Sequence, residues 1–330
     1  MNVLQLRGLS GSNPLGAMAA FGLLRILSID ERFAQDFGQA KLKWSFALDW
    51  IPELHVERKF ELEQLINYLI DKQTERCSLL FREGWRDDIK CAPGVFRELW
   101  ESVLHQFATG SGTCSAFELA AFLAAYGSEV IKDKKAKPDV KPTAFHMTAG
   151  QQRFLKSAKD IADSLDPNQL ASKRQKKEAR MQELGEAYRV ALNGPWPYQD
   201  DYHSLGWDPA TEGLYALSDS SPSDAGARSV RAAVWLAFES LPLFPSVPIA
   251  NRLHTTGFDR SGRAFSWPIW EPPIGLETLR IMLGSTEFDD SAKNVSILQA
   301  RGICTVMRSQ CVRDANGRGT FRNSTEHPIS

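Results

Sequence analysis

Residues 4–27 read LQLRGLSGSNPLGAMAAFGLLRIL, and the reading of the fold starts there. Val3, Leu4, Gln5, Leu6 and Arg7 give a short alternation that suits a half-buried strand. A turn rich in Gly, Ser and Asn follows at residues 8–13. Asn13 is a helix cap by type, and Pro14 fits the first helical position because its missing N–H has no partner there anyway. From Leu15 to Leu27 nearly every residue is apolar or small, and Gly16, Ala17, Ala19, Ala20 and Gly22 make the helix thin enough for another backbone to approach closely. The stretch therefore predicts a strand, a loop and a buried helix as one unit. The loop matches neither GxxxxGK[ST] nor GxGxxG, so it carries no nucleotide fingerprint. The helix is too short to span a membrane, which takes about twenty apolar residues, and it lacks the basic start and cleavage pattern of a signal peptide.

Composition bounds the function. The chain has 330 residues and a formal net charge of −1, whereas a free-standing nucleic-acid binder is usually strongly basic. Contact with nucleic acid would then come from local patches on a subunit that shares the charge burden with partners. Five cysteines at 77, 91, 114, 304 and 311 form no CxxC pair, which favours buried or incidental thiols in a reducing cytoplasm.

Further along, residues 42–48 alternate as a strand ended by Trp50-Ile51-Pro52, with residues 28–39 as a connection before it. Helical spacing recurs at 60–80, 95–107 and 117–126. Residues 132–142, including KDKKAKPDVK, read as a charged linker between an N-terminal α+β domain (1–131) and a basic helical segment (143–192). In that segment Thr148 caps a helix, with Gln151 at the capping-box position, and a second helix spans 168–192. Lys173, Lys176, Lys177 and Arg180 share one face of that second helix, either as a solvated surface or as a track for phosphates. From 193 to 330 the chain is Trp/Pro-rich. Trp196, Tyr198, Tyr202, Trp207, Trp235, Trp267 and Trp270 read more readily as buried anchors of loops than as stacking platforms. Residues 228–239 read as a helix, residues 300–321 as a basic hairpin, and the tail after Asn323 as frayed. The fold class is α+β, with a small N-terminal strand–loop–helix unit, a mostly helical middle and an irregular α+β C-terminal part.

Covalent chemistry has little support. The six histidines stand singly, outside HExxH or HxH, and Gly11-Ser12-Asn13 is not a nucleophile elbow. Tyr198, Asp201 and His203 in one aromatic loop are the best enzyme-like fragment. No metal or cofactor is implied, and the chain reads as a binder, not an enzyme.

Several stretches carry a family resemblance. They are GLSGSNPLGAMAAFGLLRIL (8–27), LKWSFALDWIPEL (42–54), TAFHMTAGQQRFL (143–155), NGPWPYQDDYHSLGWDP (193–209), VWLAFESLPLFP (234–245) and FSWPIWEPP (265–273). Together they resemble the large subunits of type I CRISPR effector (Cascade) complexes, most like the I-G (formerly I-U) subtype. The resemblance implies a cytoplasmic antiviral-defence subunit without nuclease activity. Its implied partners are CRISPR RNA, target double-stranded DNA, the backbone and guide-end Cascade subunits, and a separate helicase-nuclease, with no membrane. It implies recognition of the protospacer-adjacent motif (PAM) and help in opening the duplex. The chain is shorter than larger members of that family, and residues 148–192 hold too few helices for a fused small-subunit bundle.

Amides read adenine edges and Arg reads guanine. Gln151, Gln152, Arg153 and Lys156 are therefore the candidates for motif readout. Lys173, Arg174, Lys176 and Lys177, with Arg308, Arg313 and Arg318, are candidates for the rest of the DNA path. Gly11, Ser12 and Asn13 are candidates for the RNA backbone, through free N–H groups. The alternative is a protein-only scaffold subunit that binds other subunits without reading DNA.

Overall fold

The computed structural model describes residues 2–81, 87–110, 113–131, 139–149, 152–169, 176–210, 228–315 and 317–329. Strand β1 (Asn2–Gln5) leads through the Gly/Ser turn into α1 (Pro14–Ile29). The Asn13 side chain accepts from Leu15 N at 2.9 Å, and Pro14 takes the first helical position, as the residue types predict. Every α1 residue from Pro14 to Leu27 is buried. The expected connection at 28–39 contains a helix, α2 (Glu31–Phe37). Its cap is Asp30, whose carboxylate accepts from Arg32 N and Phe33 N.

Strand β2 (Lys41–Phe46) follows, then β3 (Trp50–Val56), which is the centre of an antiparallel sheet in the order β1-β3-β2. Trp50-Ile51-Pro52 therefore opens a strand instead of ending one. Pro52 is tolerated in this central strand because of where its missing donor falls. Its carbonyl accepts from Leu6 N at 3.0 Å, so the absent N–H lies on that same side. There the Leu6 carbonyl has already turned to Leu9 N–H.

The helical middle comprises α3 (Leu62–Leu80), α4 (Pro93–Thr109) and α5 (Thr113–Tyr126). A two-residue strand pair, β4 (Gly127–Ser128) with β5 (Lys141–Pro142), joins both ends of the charged stretch. Within that expected linker, Lys141 and Pro142 pair in β5 and Val140 is 1% exposed, while residues 132–138 lie outside the described residues.

Helix α6 (Phe154–Ser164) starts at Arg153, not at Thr148. Phe145, His146, Met147 and Thr148 are all buried, so this segment lies in the core, past a turn closed by the His146 N bond to Thr143 O, before the helix begins. His146 Nε2 sits 2.6 Å from the Asp88 carboxylate and stacks on Phe154. Burial pushes Asp88 up, but the His146 bond and charge outweigh it and hold the group below its usual range. Helix α7 (Lys177–Asn193) begins at Lys177 instead of residue 168; residues 170–175 lie outside the described residues.

Helix α8 (Arg231–Glu239) ends in a 3₁₀ turn at Leu241–Leu243. Then come the hairpin β6 (Ser246–Ile249) and β7 (Arg252–Thr255), strand β8 (Ala264–Trp270), helix α9 (Leu276–Leu283), helix α10 (Val295–Ala300), and strands β9 (Ile303–Arg313), β10 (Gly319–Phe321) and β11 (Thr325–Pro328). The expected hairpin is β9–β10. The tail is not frayed: β11 pairs with β9 over Thr325–Pro328, and Ile329 N donates to Cys304 O at 2.9 Å. β9 is the centre of this sheet and also pairs with β8. The chain is thus mixed α+β, with N-terminal strands and helices and a β-rich C-terminal part.

Helices α1 and α8 cross at close range. A Cβ built on Gly22 would lie 1.8 Å from Leu236 O, so only glycine allows this approach. Beside the crossing, Arg25 and Glu239 are fully buried. Arg25 reaches Glu239 at 3.0 Å and also Glu118, while Arg76 reaches Glu239 at 2.6 Å and Glu118 at 3.1 Å. Both guanidiniums lie over the Phe122 ring, at 5.1 and 6.0 Å. Two positive and two negative charges thus tie α1, α3, α5 and α8 together with no net charge left over. Burial pushes Glu118 up, but the two arginines outweigh it and hold the carboxyl below its usual range.

Gly22→Ala is expected to cost about 3 kcal/mol or more in denaturant unfolding, because the clash is with backbone. Gly94→Ala, in the first turn of α4 with nothing within 4 Å of the new Cβ, is the control, expected to be neutral or stabilising by up to about 1 kcal/mol. Glu239→Ala leaves two buried arginines short of a carboxylate, and a loss of about 3–5 kcal/mol is expected by the same measurement.

Candidate nucleic-acid interface

The Gly/Ser turn is fastened from several directions. Gly11 N donates to Trp50 O at 2.7 Å, and Gly11 O accepts from Trp267 Nε1 at 2.8 Å. Ser10 and Ser12 both donate to the Asp49 carboxylate, Ser12 at 2.5 Å. Ser12 N donates to Ser10 Oγ, Asn13 N to Ser10 O, and Asn13 Nδ2 to Asp208 Oδ1 at 3.0 Å. The N–H groups of Gly11, Ser12 and Asn13 are all used within the chain. The expectation that they are free for an RNA backbone is corrected accordingly: the turn offers its half-buried rim and no open cradle of donors.

Residues 203–208 form a second turn that joins distant parts. Trp207 is buried and its Nε1 donates to Phe145 O at 3.0 Å. Gly206, at φ +79°, touches both Met147 and Gly319, where a Cβ would meet Gly319 O at 2.4 Å. Phe321 N donates to Gly206 O at 2.9 Å, and Gly319 N to Met147 O at 2.8 Å. Asp208, fully buried, takes the Asn13 bond, and burial pushes its carboxyl up from the ordinary value against bonds from Asn13, Ala210 N and Tyr198.

This arrangement ties one candidate, Arg313, to a sequence-distant segment. Arg313 donates to His146 O at 3.3 Å, so the end of β9 lies against the buried residues 145–148. Arg318 is exposed, and its charge reaches His203. Arg153 is exposed at the start of α6. Gln152 is half-buried, and its Oε1 is buried with no partner among the described residues. Lys156 is exposed and pairs with Asp160 at 2.9 Å.

Other candidates stand apart. Lys176 and Lys177 are exposed at the start of α7, whereas Gln151, Lys173 and Arg174 lie outside the described residues. Arg180 does not belong to the expected basic face. It is 3% exposed, paired with Glu183 at 3.0 Å, and donates to Ser164 O and Asp166 O. Arg308 is half-buried and bonds Asp259 at 3.3 Å.

The enzyme-like fragment does not assemble as a relay. Tyr198 engages Asp208, not Asp201, and Asp201 is exposed. His203 Nδ1 accepts from Leu205 N at 2.8 Å. Its ring lines a cleft of about 560 Å³ with Arg180, Arg231, Glu183 and Asp163. Both arginines there are bound to Glu183, so the cleft does not present free cations to a phosphate. Among the described residues, no group of three or more His, Cys, Asp and Glu is placed to hold a metal ion, and no helix is long and apolar enough to cross a membrane. Of the tryptophans and tyrosines expected as anchors, Trp207, Trp235, Trp267 and Trp270 are buried, and Trp196, Tyr198 and Tyr202 are half-buried.

Sequence reasoning missed Asp49 and Asp208. Both lie inside quoted motifs, but their partners, Ser10, Ser12 and Asn13, are remote in the chain. No family model, curated protein or solved structure matches the chain.

The His203 ring has a pH consequence. Burial, with a smaller push from Arg318, lowers its pKa from 6.5 to about 4. The unfolded chain thus takes up this proton as pH falls below 6.5 while the folded chain resists until about 4. Stability is lost over that window, by up to about 3 kcal/mol. Subtracting the unfolding-stability curve of His203→Phe from that of the wild type between pH 7.5 and 4 should isolate this slope. A difference that does not change with pH refutes it.

Proposed function

We propose that this chain is a non-catalytic, cytoplasmic subunit of a CRISPR RNA-guided DNA surveillance complex of the Cascade type, most like I-G. In that role it reads the protospacer-adjacent motif, helps open the duplex and offers a platform for the helicase-nuclease. Two things support the reading: the motifs spread from residue 8 to residue 273, and the bond from Arg313 to the carbonyl of His146, whose ring stacks on the Phe154 that follows Gln152 and Arg153. That contact carries the functional part, since it ties a guanidinium of the C-terminal part to the motif that bears an amide and an arginine. The near-neutral overall charge fits a subunit that leaves most phosphate contacts to its partners.

A protein-only scaffold is the second reading. Phe46 (63% exposed), Leu48 (fully exposed) and Phe117 (66% exposed) favour it, because large apolar side chains held in water suit a protein interface.

Co-purification with guide RNA and neighbouring subunits, followed by gel shifts on duplexes differing only in the flanking motif, separates the two. Loss of motif-dependent binding when this chain is left out, with the remainder still assembled, supports the first reading. Unchanged binding moves the scaffold ahead. Within the complex, Gln152→Ala with Arg153→Ala is expected to relax motif discrimination by about 1–3 kcal/mol. Arg318→Glu should weaken all targets alike and flatten the salt dependence.

A further inference from the structure

One groove lined by described residues includes Arg308 and none of the other DNA-path candidates. It measures about 1030 Å³ and runs between the β6–β7 hairpin, the turn at 256–261 and the end of α9. The hairpin turns on Ala250 and Asn251, both at positive φ (46° and 62°), the geometry that matches the twist of two paired strands. It holds Val247 and Ile249 about half exposed along one wall. Arg260, Arg308 and His254 supply the basic groups.

The one acid in the lining, Asp259, is occupied. Its Oδ1 accepts from Ser261 Oγ and Arg263 N, both at 2.9 Å, and from Ala264 N, while its Oδ2 takes Arg308. These bonds outweigh burial and hold the carboxyl below its usual range, so it closes its own turn as a carboxylate. Arg308 is thus matched by Asp259, and the exposed Arg260 leaves the lining one positive charge in excess. Ser266, only 3% exposed, lines the same groove, and its Oγ has no partner among the described residues. A hydroxyl buried without a partner costs free energy that a bound oxygen would offset.

We infer that this groove holds one strand of nucleic acid by its phosphodiester backbone. Arg260 and His254 face the phosphates, Ser266 donates to a phosphate or sugar oxygen, and Val247 and Ile249 pack against sugars and bases. An unmatched cation in a recess with an apolar wall suits a single strand, whose bases are free to turn toward that wall. The inference rests on the reading that this chain works on nucleic acid.

The test is fluorescence anisotropy of the whole isolated chain with a labelled fifteen-nucleotide oligothymidylate, titrated with NaCl. A polyglutamate of equal charge serves as competitor. Arg260 is exposed, so Arg260→Glu should fold normally, which its melting temperature checks. It should weaken binding about tenfold or more and lower the slope of log affinity against log salt by about 1. Val247→Ser with Ile249→Ser should weaken binding with that slope unchanged. Unchanged affinity and slope in Arg260→Glu, or displacement by polyglutamate as effective as by unlabelled oligothymidylate, overturns the inference. If the chain is needed for motif-dependent binding in the complex while Arg260→Glu changes nothing, the groove alone fails. If Arg260→Glu weakens oligothymidylate binding by a chain that does not join the complex, the groove stands and the surveillance reading fails.

Discussion

An arginine buried in the middle of an apolar helix sets the terms for the rest of this structure. Arg25 is fully buried in α1, where an unpaired charge would cost several kcal/mol, a large share of the whole stability of a typical domain. It is tolerable only where Glu118 and Glu239 meet it, and those carboxylates are in turn shared with Arg76. Ordinary apolar packing lets a helix slide by a turn at moderate cost. Four charges from four helices do not, because any shift leaves one of them unpaired in a dry interior. The small residues of α1 allow the close approach, and the ionic cluster selects one register for it.

With that frame set, the surface separates two uses of charge. Arg180, Arg231 and Arg308 are engaged by Glu183 or Asp259 and hold segments together. Arg153 and Arg318 remain exposed, Arg318 on the β9–β10 turn that meets residues 144–149 and the turn 203–208. A chain of nearly zero net charge can still present local basic ground in this way, because its acids are spent where structure needs them.

How much of this could be read from residues alone depended on the range of the contact. α1 was legible from end to end, since Asn13, Pro14 and the small apolar run act within a few residues of each other. α3, α4, α5 and the β9–β10 hairpin were legible for the same reason. The start of α6 was misplaced because Thr148 has the type of a cap, yet tertiary burial of Phe145 to Thr148 overrides that local preference. α2 was missed although Asp30 is a sound cap, because the segment is short and weakly periodic. Of the candidate site, the residue types at Gln152, Arg153 and Arg318 were readable, but the packing of the β9–β10 turn on the segment before α6 was not. It depends on Arg313 bonding His146, 167 positions away, and on a glycine at 206 that has no local signature. Arg180 shows the reverse error: helical spacing put it on a basic face, and Glu183 with two backbone carbonyls drew it inward.

The α1–α8 crossing also has a temporal side. α1 ends at Ile29 and α8 begins at Arg231, so roughly 200 residues must be synthesised before the apolar helix meets its partner. At ribosomal rates of about 5–20 residues per second, that is on the order of 10–40 s. During this interval the face of α1 that packs on α8 stays uncovered, and Arg25 awaits Glu239. Slower elongation lengthens the exposure of that apolar face to aggregation.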